Sequence, residues 1–152
     1  SPGAGYNQVL THKKHLVDWV TKVVQEAKKR GKTLIAFSHY PMVDFNDDAS
    51  EMMKKLFGED KMQLNRVPSE EVSEIFAKAG VQLHFAGHMH INDTGVRKYE
   101  NGKGLFNIQI PSLAAYIPGY KILTIQNKNK MHIETVTIDS VPNFKTLFPM
   151  LI

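Results

Sequence analysis

The sequence predicts a mixed α/β fold: a helix, a strand, a second helix and a strand parallel to the first, then short antiparallel strands. Three observations carry that expectation. Two stretches repeat apolar residues at three-to-four spacing, the period of one buried helix face. Two apolar runs, Leu34 to Phe37 and Leu83 to Ala86, have the length and composition of buried strands. Beyond residue 90 the pattern changes to short apolar runs divided by Asn-Gly, proline and Asn/Lys turns.

The first helix is expected from about Thr11 to Arg30, with Leu16, Val20, Val23, Val24 and Ala27 on its buried face. Thr11 suits its start and Gly31 its end. A strand, Thr33 to Phe37, follows and runs into Ser38-His39-Tyr40-Pro41. Residues 41–68 read as a long polar segment on the substrate side, with a short helical patch from Ser50 to Phe57. Its Asp44, Asn46, Asp47 and Asp48 are read as turn and helix-cap residues in preference to a cation site. The second helix begins after Ser69, carries Glu70 and Glu71 in its positive first turn, and ends at Gly80. The strand Val81 to Ala86 completes a crossover that should be right-handed, which sets the two strands parallel. Later strands are expected at Val96 to Tyr99, Leu105 to Ile110, Tyr120 to Gln126 and His132 to Ile138, as an antiparallel meander. The tail from Val141 to Ile152 should pack along the surface.

At 152 residues, with 42% hydrophobic and 22% charged residues, the composition is that of one globular domain spanning 1–152. The opening Ser1-Pro2-Gly3-Ala4-Gly5 reads as an interior loop or an expression boundary. No apolar run of membrane-spanning length and no signal-peptide pattern occurs, so a soluble chain is expected, its compartment undetermined. Without cysteine there is no disulfide framework and no thiolate metal site. The net charge of +4 is mild, and Lys28-Lys29-Arg30 with Lys32 complement the end of a helix dipole. A nucleic-acid partner is not expected, because no aromatic platform accompanies those charges.

The histidines carry the chemistry. Both buried strands end abruptly at one, His39 after the first and Gly87-His88-Met89-His90 after the second. Parallel strands deliver both to one sheet edge, where ligands bind in open α/β sheets. Alternate residues of an extended chain point the same way, so His88 and His90 should face one metal or two neighbouring ones. Gly87 should allow the sharp turn. His84 lies inside its strand and reads as structural. His12, His15 and His132 have no partners in the pattern and read likewise.

Phe37-Ser38-His39-Tyr40-Pro41 and Gly87-His88-Met89-His90 resemble the C-terminal half of the calcineurin-like metallophosphoesterases. The Trp19-bearing helix and Pro118-Gly119-Tyr120-Lys121-Ile122-Leu123 support the resemblance, which extends from about Leu10 to Ile138. It implies part of a β-sandwich flanked by helices, with two divalent metals (Mn, Fe or Zn) at the carboxyl ends of the strands. His39 and His88 resemble ligands of one metal and His90 a ligand of the other. Tyr40 and Asn92, beside those positions, are weaker candidates for contact with a phosphate-ester substrate.

The family's Asp-x-His, Gly-Asp and Gly-Asn-His motifs do not occur in these residues. The bridging carboxylate and the histidine that assists the leaving group are therefore missing, and no catalytic residue is assigned within the chain. The expectation is the C-terminal half of a dinuclear phosphoesterase, inactive alone, completed by an N-terminal half and prone to self-association without it. The alternatives are a self-contained zinc hydrolase with three histidine ligands, or a non-catalytic binding domain.

Overall fold

The computed structural model describes residues 6, 12–59, 61–127, 130–143 and 146. The chain is a mixed α/β fold divided into two compact units, 1–110 and 111–152. Among the described residues no helix is long and apolar enough to cross a membrane.

In the first unit, helix α1 (His15–Lys29) precedes strand β1 (Ala36–Ser38). The expected cap Thr11 lies outside the described residues; the described helix starts after Lys14, which makes no capping bond. Its end follows expectation. Gly31 takes a left-handed φ of 63°, its N–H reaches Lys28 O, and Lys32 N–H reaches Ala27 O. These paired bonds satisfy carbonyls that the helix leaves open.

Helix α2 (Ala49–Phe57), a 3₁₀ turn (Lys61–Arg66) and helix α3 (Glu70–Ala79) lead to β2 (Leu83–Ala86), β3 (Asp93–Lys98) and β4 (Gly104–Gln109). The sheet order is β1-β2-β4-β3. β1 and β2 run parallel, with Ala36, Phe37 and Ser38 opposite His84, Phe85 and Ala86. The expected all-antiparallel continuation is corrected here. β3 and β4 do form an antiparallel pair, but β4 inserts beside β2 and runs parallel to it. Periodicity identifies strands but not neighbours, and Asn107, fully buried, gives β4 a reason to lie centrally. The carboxyl ends of β1, β2 and β4 thus share one edge.

The main core lies on the sheet face bearing Ala36 and Leu105, covered by α1 and α3 through Leu16, Val20, Val72 and Phe76. Burying a side chain such as Phe76 contributes about 1.5–3 kcal/mol. Gly80 ends α3 at φ 107°, and a β-carbon there would stand 2.6 Å from Val24 Cγ1, so the two helices meet only because this residue is glycine.

The segment 41–68 is far less loose than its polarity suggests. Pro41, Met42, Val43, Phe45, Leu64, Val67 and Pro68 are buried. Phe45, Leu64 and Val67 form a second small core, against which Met53, Met89 and Ile91 pack. Asn46, Asp47 and Asp48 all take left-handed φ values, as short polar side chains tolerate. Asp48 precedes α2 without capping it and pairs with Arg97 instead. Ser69 likewise precedes α3 without a side-chain cap bond.

In the second unit, β5 (Gly119–Asn127) and β6 (Lys130–Thr137) pair antiparallel. Both match the strands expected from alternation, each longer by one or two residues. Most of the expected surface tail lies outside the described residues.

Candidate functional site

The two histidine-bearing strand ends meet. His88 Nδ1 and His39 Nε2 stand 3.0 Å apart, and the rings lie edge to face with centroids 4.9 Å apart. Parallel pairing of β1 with β2 produces this contact, and a bond from Gly87 N–H to His39 O (3.2 Å) extends it past the strand ends.

The turn that presents His88 differs from expectation in where its strain sits. Gly87 does not take a positive φ; His88 (57°) and His90 (56°) do. Met89 N–H bonds Gly87 O at 2.7 Å, closing a three-residue turn around His88. Turns of this kind with positive central φ are rare and strained. His88 and His90 therefore do not alternate along an extended strand. Met89 and Ile91 pack into the second core between and beyond them and hold the turn in place.

Beneath the turn lies a buried polar network. His84, with no exposed surface, has Nδ1 2.7 Å from Asn107 Oδ1 and Nε2 2.8 Å from Ser38 Oγ. Met42 N–H donates to the same Asn107 oxygen at 2.9 Å, which fixes that atom as an acceptor. Burial pushes the imidazole down to about 4, partly opposed by its bond to Asn107. The ring is neutral at ordinary pH. Nδ1 then carries the one proton and Nε2 is an acceptor, so the single Ser38 hydroxyl proton is shared between Nε2 and Tyr40 O (2.9 Å). Ser38, His84 and Asn107 have the order of a nucleophile, a base and its orienter. Here they serve instead as a brace: base and orienter are sealed from solvent, and Tyr6 also bonds Ser38. The brace ties Ser38-His39-Tyr40 to β2 and β4, so the structural reading of His84 fits its surroundings.

Tyr40 closes the site on one side. Its ring centroid lies 4.5 Å from that of His88 and 5.0 Å from that of His39. Arg66, at the end of the 3₁₀ turn, donates from Nη1 to Tyr40 OH at 2.9 Å and stacks over the same ring, 5.5 Å from its centroid. Sequence pattern did not single out Arg66, because a lone arginine in a polar segment has no periodic or motif context. His88 is lowered below the usual imidazole range, chiefly by burial and then by the charges of His39, Arg66 and His90. His90 itself is exposed, and Asn92 is exposed one residue before β3. No group of three or more His, Asp, Glu or Cys side chains arranged to hold a metal occurs among the described residues. His39 and His88 are the two in direct contact, and His90 lies near enough for its charge to be felt at His88. His12, His15 and His132 are exposed and lie apart from it in sequence and element.

The pair suits a divalent metal as donors. Two imidazole nitrogens bound to one zinc at about 2.05 Å stand about 3.3 Å apart. The 3.0 Å separation seen here, a hydrogen bond between the two rings, approaches that value. No protein-family profile and no curated protein matches this chain.

Proposed function

We propose that this chain supplies the histidine part of a two-metal phosphoesterase centre that hydrolyses phosphate mono- or diesters. The observation carrying this reading is the contact of His39 with His88 at the carboxyl edge of two parallel strands, presented by a strained turn. Strained backbone held by surrounding packing is a feature of functional sites. His39 and His88 would hold one metal and His90 a second. A pair of divalent metals supplies an activated water and neutralises phosphoryl oxygens. The chain's own residues hold the imidazoles in register, exclude water beneath them through the His84 brace, and place Tyr40 and Arg66 beside the reacting group. The carboxylate donors would come from residues beyond these 152, which makes this segment inactive by itself.

The test uses a longer protein that includes the preceding half. His39→Ala and His88→Ala should each remove nearly all metal-dependent hydrolysis of an aryl phosphate while leaving the circular dichroism spectrum unchanged. Near-normal turnover by either variant would refute the assignment. A self-contained zinc hydrolase makes a different forecast: about one zinc per chain retained by this segment after dialysis. A non-catalytic domain makes a third, in which the longer protein hydrolyses nothing.

A further inference from the structure

Among the described residues Arg66 is a cation whose charge is felt at His88, and it packs against the tyrosine that touches both histidines. It is half-buried, yet among the described residues no carboxylate stands within ion-pairing distance of it. Its named contacts are one bond to the Tyr40 hydroxyl and the face of the Tyr40 ring. A guanidinium carries five N–H donors in a rigid fork that matches phosphate oxygens. The bond to Tyr40 occupies one of them and fixes the plane of the fork.

Tyr40 does a second thing. Because its oxygen accepts from Arg66, the phenolic proton remains to be donated elsewhere. The ring also spans the distance between Arg66 and both imidazoles. Leu64 and Val67, flanking the arginine, are fully or nearly fully buried in the second core, as are the contacts of Met89 from the histidine turn. One small core therefore anchors both the arginine and the histidine turn. That common anchor fixes their separation, which a ligand bridging the two requires.

We propose that Arg66, oriented by Tyr40, is the anion-holding residue of this site and takes the oxygens of a phosphate ester whose phosphorus lies at His39 and His88. The proposal deepens the phosphoesterase reading and rests on it for the identity of the anion. Arg66 touches substrate; Tyr40 positions Arg66 and donates one further hydrogen bond.

The experiment is a titration of this chain with inorganic phosphate and with phenyl phosphate, followed by nuclear magnetic resonance of the Arg66 Nε–H and the histidine rings. Saturable shifts centred on Arg66 are expected, with millimolar affinity. Arg66→Gln should abolish them, a loss of at least about tenfold for one charge-assisted contact. Arg66→Lys, which keeps the charge but not the fork, should retain an intermediate affinity. Tyr40→Phe should weaken binding several-fold and broaden the Arg66 Nε–H signal, which a purely packing role would leave unchanged. Phosphate binding by Arg66→Gln equal to that of the parent chain would overturn the proposal, as would no saturable shift in the parent. A separate arm adds manganese and reads paramagnetic broadening of His39 and His88. If broadening is absent while Arg66-dependent phosphate binding persists, the metal reading falls and the anion site stands. If broadening occurs and phosphate ignores Arg66, the reverse holds.

Discussion

At His88 the backbone and the side chain make opposite demands. A left-handed φ costs a non-glycine residue roughly 1–2 kcal/mol, and His88 sits at 57° with open space around the preceding Gly87. A sequence free to choose would put glycine at 88. His88→Gly should therefore be more stable than His88→Ala by about 0.5–1 kcal/mol in urea unfolding, while losing the imidazole equally. Equal stabilities would show that the turn carries no strain. His84 gives a second test. Its folded value of about 4 lies below the unfolded imidazole value of 6.5, so the unfolded chain takes up a proton first. The stabilising contribution is full above pH 6.5 and is lost as pH falls through the folded value of about 4. That difference corresponds to something on the order of 3 kcal/mol. Unfolding free energy measured across this window should fall, and His84→Gln should flatten the dependence even though it lowers stability overall.

Among the elements, the connection between β1 and α3 decides whether there is a site at all. It crosses the sheet close enough that a β-carbon on Gly95, in β3, would lie 2.7 Å from Asp44 O and 2.8 Å from Val43 Cγ1. Asn46 N–H bonds Asp93, Ser73 Oγ bonds Met42 O from α3, and Arg97 joins Asp48 to Glu70. Gly95→Ala should cost about 1–3 kcal/mol through overpacking. Because the same connection carries Arg66, the variant should also weaken phosphate binding; unchanged affinity would disconnect the two. Helices, strand identities and both histidine motifs were legible in sequence because each has a period or a fixed spacing. Three things were not. The insertion of β4 beside β2 depends on which strand ends up buried on both faces. The strain at His88 depends on Met89 and Ile91 finding a core contributed by residues 45–67. Arg66 acquires meaning only when Tyr40 is folded beneath it.

For the whole molecule, charge and surface point the same way. Two adjacent divalent cations bring about four positive charges together, and neutral imidazoles offer nothing to offset that repulsion. Arg66 adds another. The sheet face opposite the helices is apolar and is open in two places: Phe37 is 70% exposed on β1, and Phe106 is 48% exposed on β4 with Val96 beside it. By register Phe37, Phe85 and Ile108 line up across it; Phe85 and Ile108 are buried, and Phe37 stacks on Phe85 with centroids 5.2 Å apart. Large aromatic side chains exposed on one sheet face invite association. Sedimentation of the purified chain should show concentration-dependent dimers or larger species, and Phe37→Ser with Phe106→Ser should return it towards monomer. A monomeric parent chain at high concentration would show the face to be innocuous. The same preparation should hydrolyse no aryl phosphate in excess manganese or zinc, because imidazoles alone cannot gather the second metal. Robust metal-dependent turnover that disappears with His88→Ala would instead make these residues a complete hydrolase, with the pair of histidines sufficient for a single-metal reaction.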